Sequence, residues 1–227
     1  MTDMTSIPFD PGSFDAILFD MDGTLVDSEP VWFEVLQAVM GRHGAYLPDD
    51  AHPRLHGLDR AASTERLRHD YGLAGDTERF WSDVVHDLAL ALAQVPAMPG
   101  AAAMVQASFV AGQPRAVVSN SPRAMIDASL AGHAWGAHLQ VRISVEDVAR
   151  GKPAPDGYLL AAERLAVDVS RSLVVEDSEA GARAALAAGA TCLFVTNGVF
   201  DEGRARALTP HVVAHLATPP ETDLNSP

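Results

Sequence analysis

One stretch near the N-terminus constrains the fold most: the apolar run Ala16–Phe19, which ends in the acidic sequence DMDGT, residues 20–24. A short apolar run followed by polar residues is typical of a buried strand. Residues i and i+2 of an extended chain point the same way, about 6–7 Å apart, so Asp20 and Asp22 leave the strand end on one side. Open α/β sheets bind ligands at this edge. The stretch therefore predicts an α/β fold with a ligand site at the end of its first strand.

The two carboxylates at this strand end predict a cation and phosphoryl chemistry. Acidic groups held close together either raise one pKa or recruit a cation. Mg²⁺ takes oxygen ligands and keeps water and substrate phosphate in its shell, and a carboxylate can itself form an aspartyl-phosphate. The alternative is an Asp-Gly turn with solvated acids. The strand before the turn, and Thr24, Asp27 and Ser28 after it, favour the site.

The stretch FDMDGTLVDSEPVW, residues 19–32, resembles the first motif of the haloacid dehalogenase-like (HAD) superfamily of phosphatases and mutases. Three later segments resemble the remaining motifs of that family, in the family's order, and the resemblance covers residues 16–28 and 97–195. The three segments are AVVSNSP with Ser119 and Asn120, GKPAPDGY with Lys152, and LVVEDSEAGARAALAAGA with Glu176 and Asp177. Taken alone, the first also fits a turn, the second a surface loop and the third a helix N-cap.

The resemblance implies catalytic and phosphate-binding roles for five of these residues. Asp20 would be the nucleophile that attacks phosphorus, and Asp22 would be the general acid and base. The phosphoryl oxygens would be held by Ser119, Asn120 and Lys152. Within this superfamily the second aspartate argues against dehalogenation, because a departing halide needs no proton.

The same resemblance implies Mg²⁺ as the cofactor. Its ligands would be Asp20, Asp177, Glu176 and the backbone carbonyl of Asp22. The activity implied is hydrolysis of small phosphate monoesters, sugar phosphates in particular.

The segment after the first motif predicts an inserted helical domain. Ser28 is a suitable N-cap with Pro30 near the first helical position. Apolar residues then recur at helical spacing as far as Pro96, with Asp76 or Thr77 as a further N-cap. An insertion at this point would lie over the site and act as a lid. The alternative is that these helices belong to one continuous helical core.

Alternating strands and helices resume at Pro99 and predict a Rossmann-like parallel sheet with right-handed crossovers. Further strands are expected at Arg115–Val118, residues 173–175 and Thr191–Val195. The expected domains are an α/β core, a helical cap and loose termini. Their boundaries are 14–28 and 97–218 for the core, 29–96 for the cap, and 1–13 and 219–227 for the termini.

The choice of substrate is expected to depend on the cap loop around Arg54, His56, Gly57 and Arg60, although either arginine could equally be a plain surface residue. The nearest alternative function is a β-phosphoglucomutase, but those mutases usually have histidine where this chain has Trp32. DSEPVW is more similar to the hexitol and 2-deoxyglucose 6-phosphate phosphatases. A remoter alternative is a catalytically idle HAD-fold binding protein, which would be expected to have lost an acid or the lysine.

Composition argues against several classes of partner. The 227 residues carry a formal net charge of −14, so neither nucleic acid nor an anionic membrane is an expected partner. Cys192 is the single cysteine, which excludes an internal disulfide and fits a reducing cytoplasm. No apolar run reaches the ~18 residues of a membrane span. We expect a cytoplasmic protein, by default a monomer, that acts on a small phosphorylated metabolite.

Overall fold

The computed structural model describes residues 10–55, 58 and 60–216. Its centre is a six-stranded sheet in the order β3-β2-β1-β4-β5-β6, and every neighbouring pair is parallel. The predicted Rossmann-like parallel sheet is therefore confirmed. The strands are β1 Ala16–Phe19, β2 Arg115–Val118, β3 Val141–Ile143, β4 Ser172–Glu176, β5 Thr191–Val195 and β6 Val212–Val213.

Nine α-helices occur in the described part of the chain. Five of them lie between β1 and β2, and the other four alternate with the remaining strands. No helix of the described residues combines the length and the apolar character needed to span a membrane. The helices are α1 Ser28–Arg42, α2 His52–Leu55, α3 Arg60–Tyr71, α4 Thr77–Leu92, α5 Ala101–Val110, α6 Arg123–Ala131, α7 Asp156–Leu165, α8 Glu179–Ala188 and α9 Glu202–Leu208.

Two apolar clusters cover the two faces of the sheet. Ile17 and Phe19 of β1 belong to the cluster that includes residues of α5 and α6, whereas Leu18 belongs to the cluster that includes residues of α7 and α8. This alternation follows from the two-residue period of a strand. Because both faces are buried, the strands read as continuous apolar runs, as is typical of parallel sheets.

Helices α1 to α4 form the inserted helical layer and have an apolar cluster of their own, built around Phe33, Leu36 and Phe80. The C-terminal turns of α4 belong instead to the sheet's cluster, through Leu92 and the partly buried Leu88. Backbone links at residues 26–27 and 96–97 hold the two connecting segments side by side. The domain boundaries given above stay predictions; residues 1–9 and 217–227 lie outside the described residues.

The segment between β3 and α7 carries Lys152 and is braced by Asp147. Asp147 Oδ2 accepts hydrogen bonds of 2.7 Å from both the backbone N–H and the hydroxyl of Ser144. Arg164 donates to Oδ1 at 3.2 Å, and Arg123 also binds Oδ2. Partial burial opposes ionisation of Asp147, but these donors and the charge of Arg123 outweigh it and lower the pKa of Asp147 to about 2.

We expect Asp147→Asn to lower the free energy of unfolding by about 1–3 kcal/mol at pH 7. Because folding lowers the pKa of Asp147, its stabilisation is complete above the unfolded-state pKa of about 3.9 and is lost as pH falls toward 2. The difference between the native protein and the variant should therefore shrink between pH 7 and pH 3, as measured by urea denaturation.

Asp127→Asn is the matched control, because Asp127 pairs with Arg142 at 2.6 Å but its side chain is half exposed. Asp127→Asn should lower the free energy of unfolding by less than about 1 kcal/mol. If Asp147→Asn lowers the free energy of unfolding by the same amount at pH 7 and pH 3, the proposed bracing by the ionised Asp147 is wrong.

Candidate active site

Lys152 joins two strand ends that are remote in sequence. Asp20 follows β1 directly, and Glu176 is the last residue of β4. The Lys152 ammonium donates to Asp20 Oδ1 at 2.5 Å and to Glu176 Oε1 at 2.6 Å. Because β1 and β4 are adjacent parallel strands, their carboxyl ends meet at one edge, and the segment after β3 brings the lysine to that edge.

Three carboxylates meet beside this lysine. Asp20, Glu176 and Asp177 each present an oxygen, and these oxygens all lie within 4.8 Å of one another. Burial raises the pKa of Asp20 well above its usual range; Lys152 opposes the shift, and the neighbouring carboxylates add to it. Burial and the charge of Glu176 raise the pKa of Asp177 to about 7. One ammonium cannot neutralise three carboxylates, so the donor set and its excess negative charge fit a divalent cation such as Mg²⁺.

Glu176 is fully buried and accepts five hydrogen bonds. Oε1 accepts from Lys152 and from the Tyr158 hydroxyl, the latter at 2.7 Å. Oε2 accepts from the backbone N–H groups of Asp177 and Ser178 at 3.1 and 3.2 Å, and from the Ser178 hydroxyl at 3.0 Å. In the structure Glu176 thus orients Lys152, while its role as a metal ligand stays a prediction.

Asp177 lies directly over the turn that follows β1. The Thr24 hydroxyl donates to Asp177 Oδ1 at 3.2 Å. Gly23 has a positive φ of 78°, and a Cβ at this position would lie 2.0 Å from Asp177 Oδ2. Asn197 fixes the same turn by donating to the Gly23 carbonyl at 2.6 Å. Glycine is therefore required here both for the turn and for the close approach of the carboxylate.

Asp22 is oriented by three serine hydroxyls. Ser28 donates to Oδ1 at 2.6 Å, and Ser119 and Ser121 donate to Oδ2 at 3.1 and 2.9 Å. The prediction that Ser28 caps α1 is wrong: the helix begins at Ser28 itself, and Asp27 occupies the N-cap without a side-chain hydrogen bond. The physical reason is tertiary, because the hydroxyl binds the Asp22 carboxylate instead of the helix backbone.

The Asn120 side chain holds the Lys152 backbone on both sides. Its Oδ1 accepts from the Lys152 N–H at 2.8 Å, and its Nδ2 donates to the Lys152 carbonyl at 3.1 Å. Ser119, besides contacting Asp22, accepts from the Ser121 N–H at 3.0 Å. The structure thus brings Ser119 and Asn120, which follow β2, to the same edge of the sheet as the acids, and their phosphate-binding roles stay predictions.

A cavity of about 540 Å³ lies between the inserted helices and the site. Asp22 and Ser121 border it from the sheet, and Trp32 of α1, together with Trp81 and Leu88 of α4, border it from the helices. The cavity places space for a ligand against Asp22, beneath the helical layer.

Of the four residues predicted in the cap loop, one borders the cavity, one does not, and two are not described. Arg60, at the start of α3, borders the cavity. It pairs with Glu78 at 2.9 Å, and its guanidinium lies 5.7 Å from the centre of the Trp81 ring. Arg54 is exposed and is not among the residues that line the cavity. His56 and Gly57 lie outside the described residues, and the role of all four in substrate choice stays a prediction.

Ser121 and Tyr158 are among the residues that contribute to the site although the sequence assigned them no role. Ser121 lies two residues after Ser119, inside the quoted motif, so its place beside Asp22 had a local signal. In the sequence Tyr158 is indistinguishable from the other core-facing residues of α7, and its hydroxyl donates to Glu176 on β4. Its contact with Glu176 therefore had no local signal.

Gly181, in the first turn of α8, leaves the space that Glu176 fills. A Cβ at this position would lie 1.7 Å from Glu176 Oε1. We expect Gly181→Ala to displace the carboxylate from Lys152 and Tyr158 and to lower the free energy of unfolding by about 3 kcal/mol or more. Urea denaturation measures this cost.

The matched control is Gly41→Ala in α1, where an added Cβ meets no atom within 4 Å. This variant should be at least as stable as the parent, because Gly41 lies in the last turn of α1 and alanine has the higher helix propensity. Equal stability of the Gly181→Ala variant and the parent would contradict the tight packing described here.

Comparison with known proteins identifies the family of this chain. A family profile described as haloacid dehalogenase-like hydrolase matches residues 14–189. Hexitol phosphatase A of Escherichia coli is 36% identical over 178 residues, 76% of this chain and 78% of that protein. The bifunctional riboflavin kinase/FMN phosphatase of Arabidopsis thaliana is 29% identical over 180 residues, 79% of this chain but only 48% of that protein.

Among solved structures, a HAD family hydrolase from Deinococcus radiodurans with bound phosphate and sodium superposes with a TM-score of 0.71 and 31% identity. The match covers 89% of this chain and 91% of that one. The inserted helices and the parallel sheet are thus shared with a solved hydrolase. The chain belongs to the haloacid dehalogenase-like hydrolases.

Proposed function

We propose that this chain is a magnesium-dependent phosphatase that hydrolyses small phosphate monoesters, sugar phosphates among them, through an aspartyl-phosphate on Asp20. The observation that carries the proposal is the buried Asp20 carboxylate bonded to Lys152, with Asp177 beside it. Similarity to a hexitol phosphatase supports sugar phosphates as the substrate class.

Asp20 supplies the attacking oxygen in this mechanism. A bond forms between that oxygen and phosphorus while the bond from phosphorus to the alcohol oxygen breaks, and negative charge spreads over the three phosphoryl oxygens. The Lys152 ammonium contacts Asp20 and so stands where this charge develops. Ser119, at the adjacent strand end, adds a hydroxyl, and catalysis of this kind is mostly positioning and charge stabilisation.

Asp22 transfers the protons. It first protonates the departing alkoxide and then removes a proton from the water that attacks the aspartyl-phosphate, which restores Asp20 and releases phosphate. The Ser28 and Ser121 hydroxyls hold its carboxylate in place. Asp22 borders the cavity in which the alcohol part of the substrate would lie.

Mg²⁺, held by Asp20, Asp177, the Asp22 carbonyl and Glu176, would supply the positive charge that the carboxylates and the phosphoryl group lack. The excess of carboxylates over the single ammonium supports this cofactor.

A phosphosugar mutase remains the second candidate within the family. Trp32 borders the cavity at the position where those mutases usually have histidine, which supports the phosphatase. Phosphate release from 2-deoxyglucose 6-phosphate would indicate the phosphatase, and conversion of β-glucose 1-phosphate to glucose 6-phosphate would indicate the mutase.

Asp20→Asn tests the nucleophile. We expect phosphate release from 4-nitrophenyl phosphate and from sugar phosphates to fall by about 10³-fold or more, because an amide cannot form the acyl-phosphate. Asp127→Asn, a surface change on α6, should keep full activity. Turnover retained by the Asp20→Asn variant would contradict the proposal.

Removal of divalent cations tests the metal. Treatment with EDTA should abolish activity and MgCl₂ should restore it. Mg²⁺ alone should also raise the melting temperature, because an ion that binds only the folded state stabilises it. The rise should be smaller in an Asp177→Asn variant. Activity in EDTA, or no change of melting temperature, would contradict a magnesium site here.

A further inference from the structure

We propose that the cavity between the inserted helices and the sheet selects phosphate esters whose alcohol part is uncharged and apolar on one face. The same cavity discriminates against esters that carry a second anionic group. This inference rests on the proposed function, because it takes the transferred phosphate to bind at Asp20 and the alcohol part to extend past Asp22 into the cavity.

Most of the helical wall of the cavity is apolar. Trp32 and Trp81 supply two indole rings, and Leu58, Val85 and Leu88 supply aliphatic surface. Leu58 is 37% exposed and Val85 50% exposed, although both border the cavity. Large apolar side chains left accessible around a concave site are typical of ligand-binding surfaces. The wall therefore offers contact to a ring face or an alkyl chain.

The polar side chains that line the cavity, among the residues that the structure describes, already have hydrogen-bond or ion-pair partners within the protein. Ser28 and Ser121 donate to Asp22, and Asn120 holds the Lys152 backbone. Glu29 binds His52 at 2.9 Å. A substrate group that needs strong hydrogen bonds or a counter-charge would have to break one of these contacts.

The charges around the cavity disfavour a second anion. Asp22 and Glu29 are carboxylates that border it, whereas Arg60 is the one cation among the described lining residues. Arg60 is itself paired with Glu78 at 2.9 Å. A second phosphate would be brought between two carboxylates and placed on an apolar wall, and an anion desolvated without a counter-ion is strongly disfavoured.

Two matched pairs of substrates test the inference. With Mg²⁺ present, kcat/KM for fructose 1-phosphate should exceed that for fructose 1,6-bisphosphate by about 100-fold. Hydrolysis at either end of the bisphosphate places its other phosphate in the cavity. The kcat/KM for benzyl phosphate should exceed that for glycerol 3-phosphate by about 10-fold, because the benzyl ring buries more apolar surface in the cavity.

A variant on the cavity wall makes the test specific. Val85→Arg adds a cation to the cavity lining and should reduce the preference for fructose 1-phosphate over the bisphosphate by about 10-fold or more. Leu90→Arg is the control, because Leu90 is also on α4 and is 64% exposed, but it is not part of the cavity lining. It should leave the preference unchanged.

Equal kcat/KM for fructose 1-phosphate and its bisphosphate would overturn the inference. The same holds if benzyl phosphate is no better than glycerol 3-phosphate, or if Val85→Arg and Leu90→Arg behave alike. Failure to hydrolyse any ester, 4-nitrophenyl phosphate included, would instead overturn the proposed function and the inference with it.

Discussion

The Lys152 ammonium bound between Asp20 and Glu176 is the interaction on which the site depends. The Lys152 side chain is 7% exposed, Asp20's is 10% and Glu176's is 0%, so water contributes little to their solvation. Burial alone would lower the pKa of Lys152, but the charges of Asp20 and Glu176 outweigh it and raise the pKa above its usual value. Lys152 therefore stays protonated, and removing either carboxylate partner would leave a buried charge partly uncompensated, at a cost of about 3–5 kcal/mol.

Several parts of the fold keep this contact in place. Tyr158 and Ser178 fix Glu176, and the space left by Gly181 accommodates it. Asn120 and Asp147 brace the segment that presents the lysine. These residues come from different elements, so the site exists only when the sheet is assembled. The three carboxylates then exceed the single ammonium, which is why a divalent cation suits this place.

Much of the sheet could be predicted because its strands are buried on both faces. Arg115–Val118 and Thr191–Val195 occur as the apolar runs indicated, and the N-cap at Asp76 is present because its side chain bonds only to the local backbone. The contact of Ser28 with Asp22 could not be predicted, because a tertiary partner competes with the local cap. The same limit applies to Tyr158 and to the different positions of Arg54 and Arg60, which depend on how the inserted helices lie over the sheet.

The most direct test of the account is a crystal structure of the native protein with MgCl₂ and beryllium fluoride, which mimics a phosphoryl group on a carboxylate. The beryllium fluoride group is expected on an Asp20 oxygen, contacted by Lys152 Nζ, with one magnesium ion bound by both Asp20 and Asp177. An adduct on another residue, or a metal ion that does not contact Asp177, would contradict it.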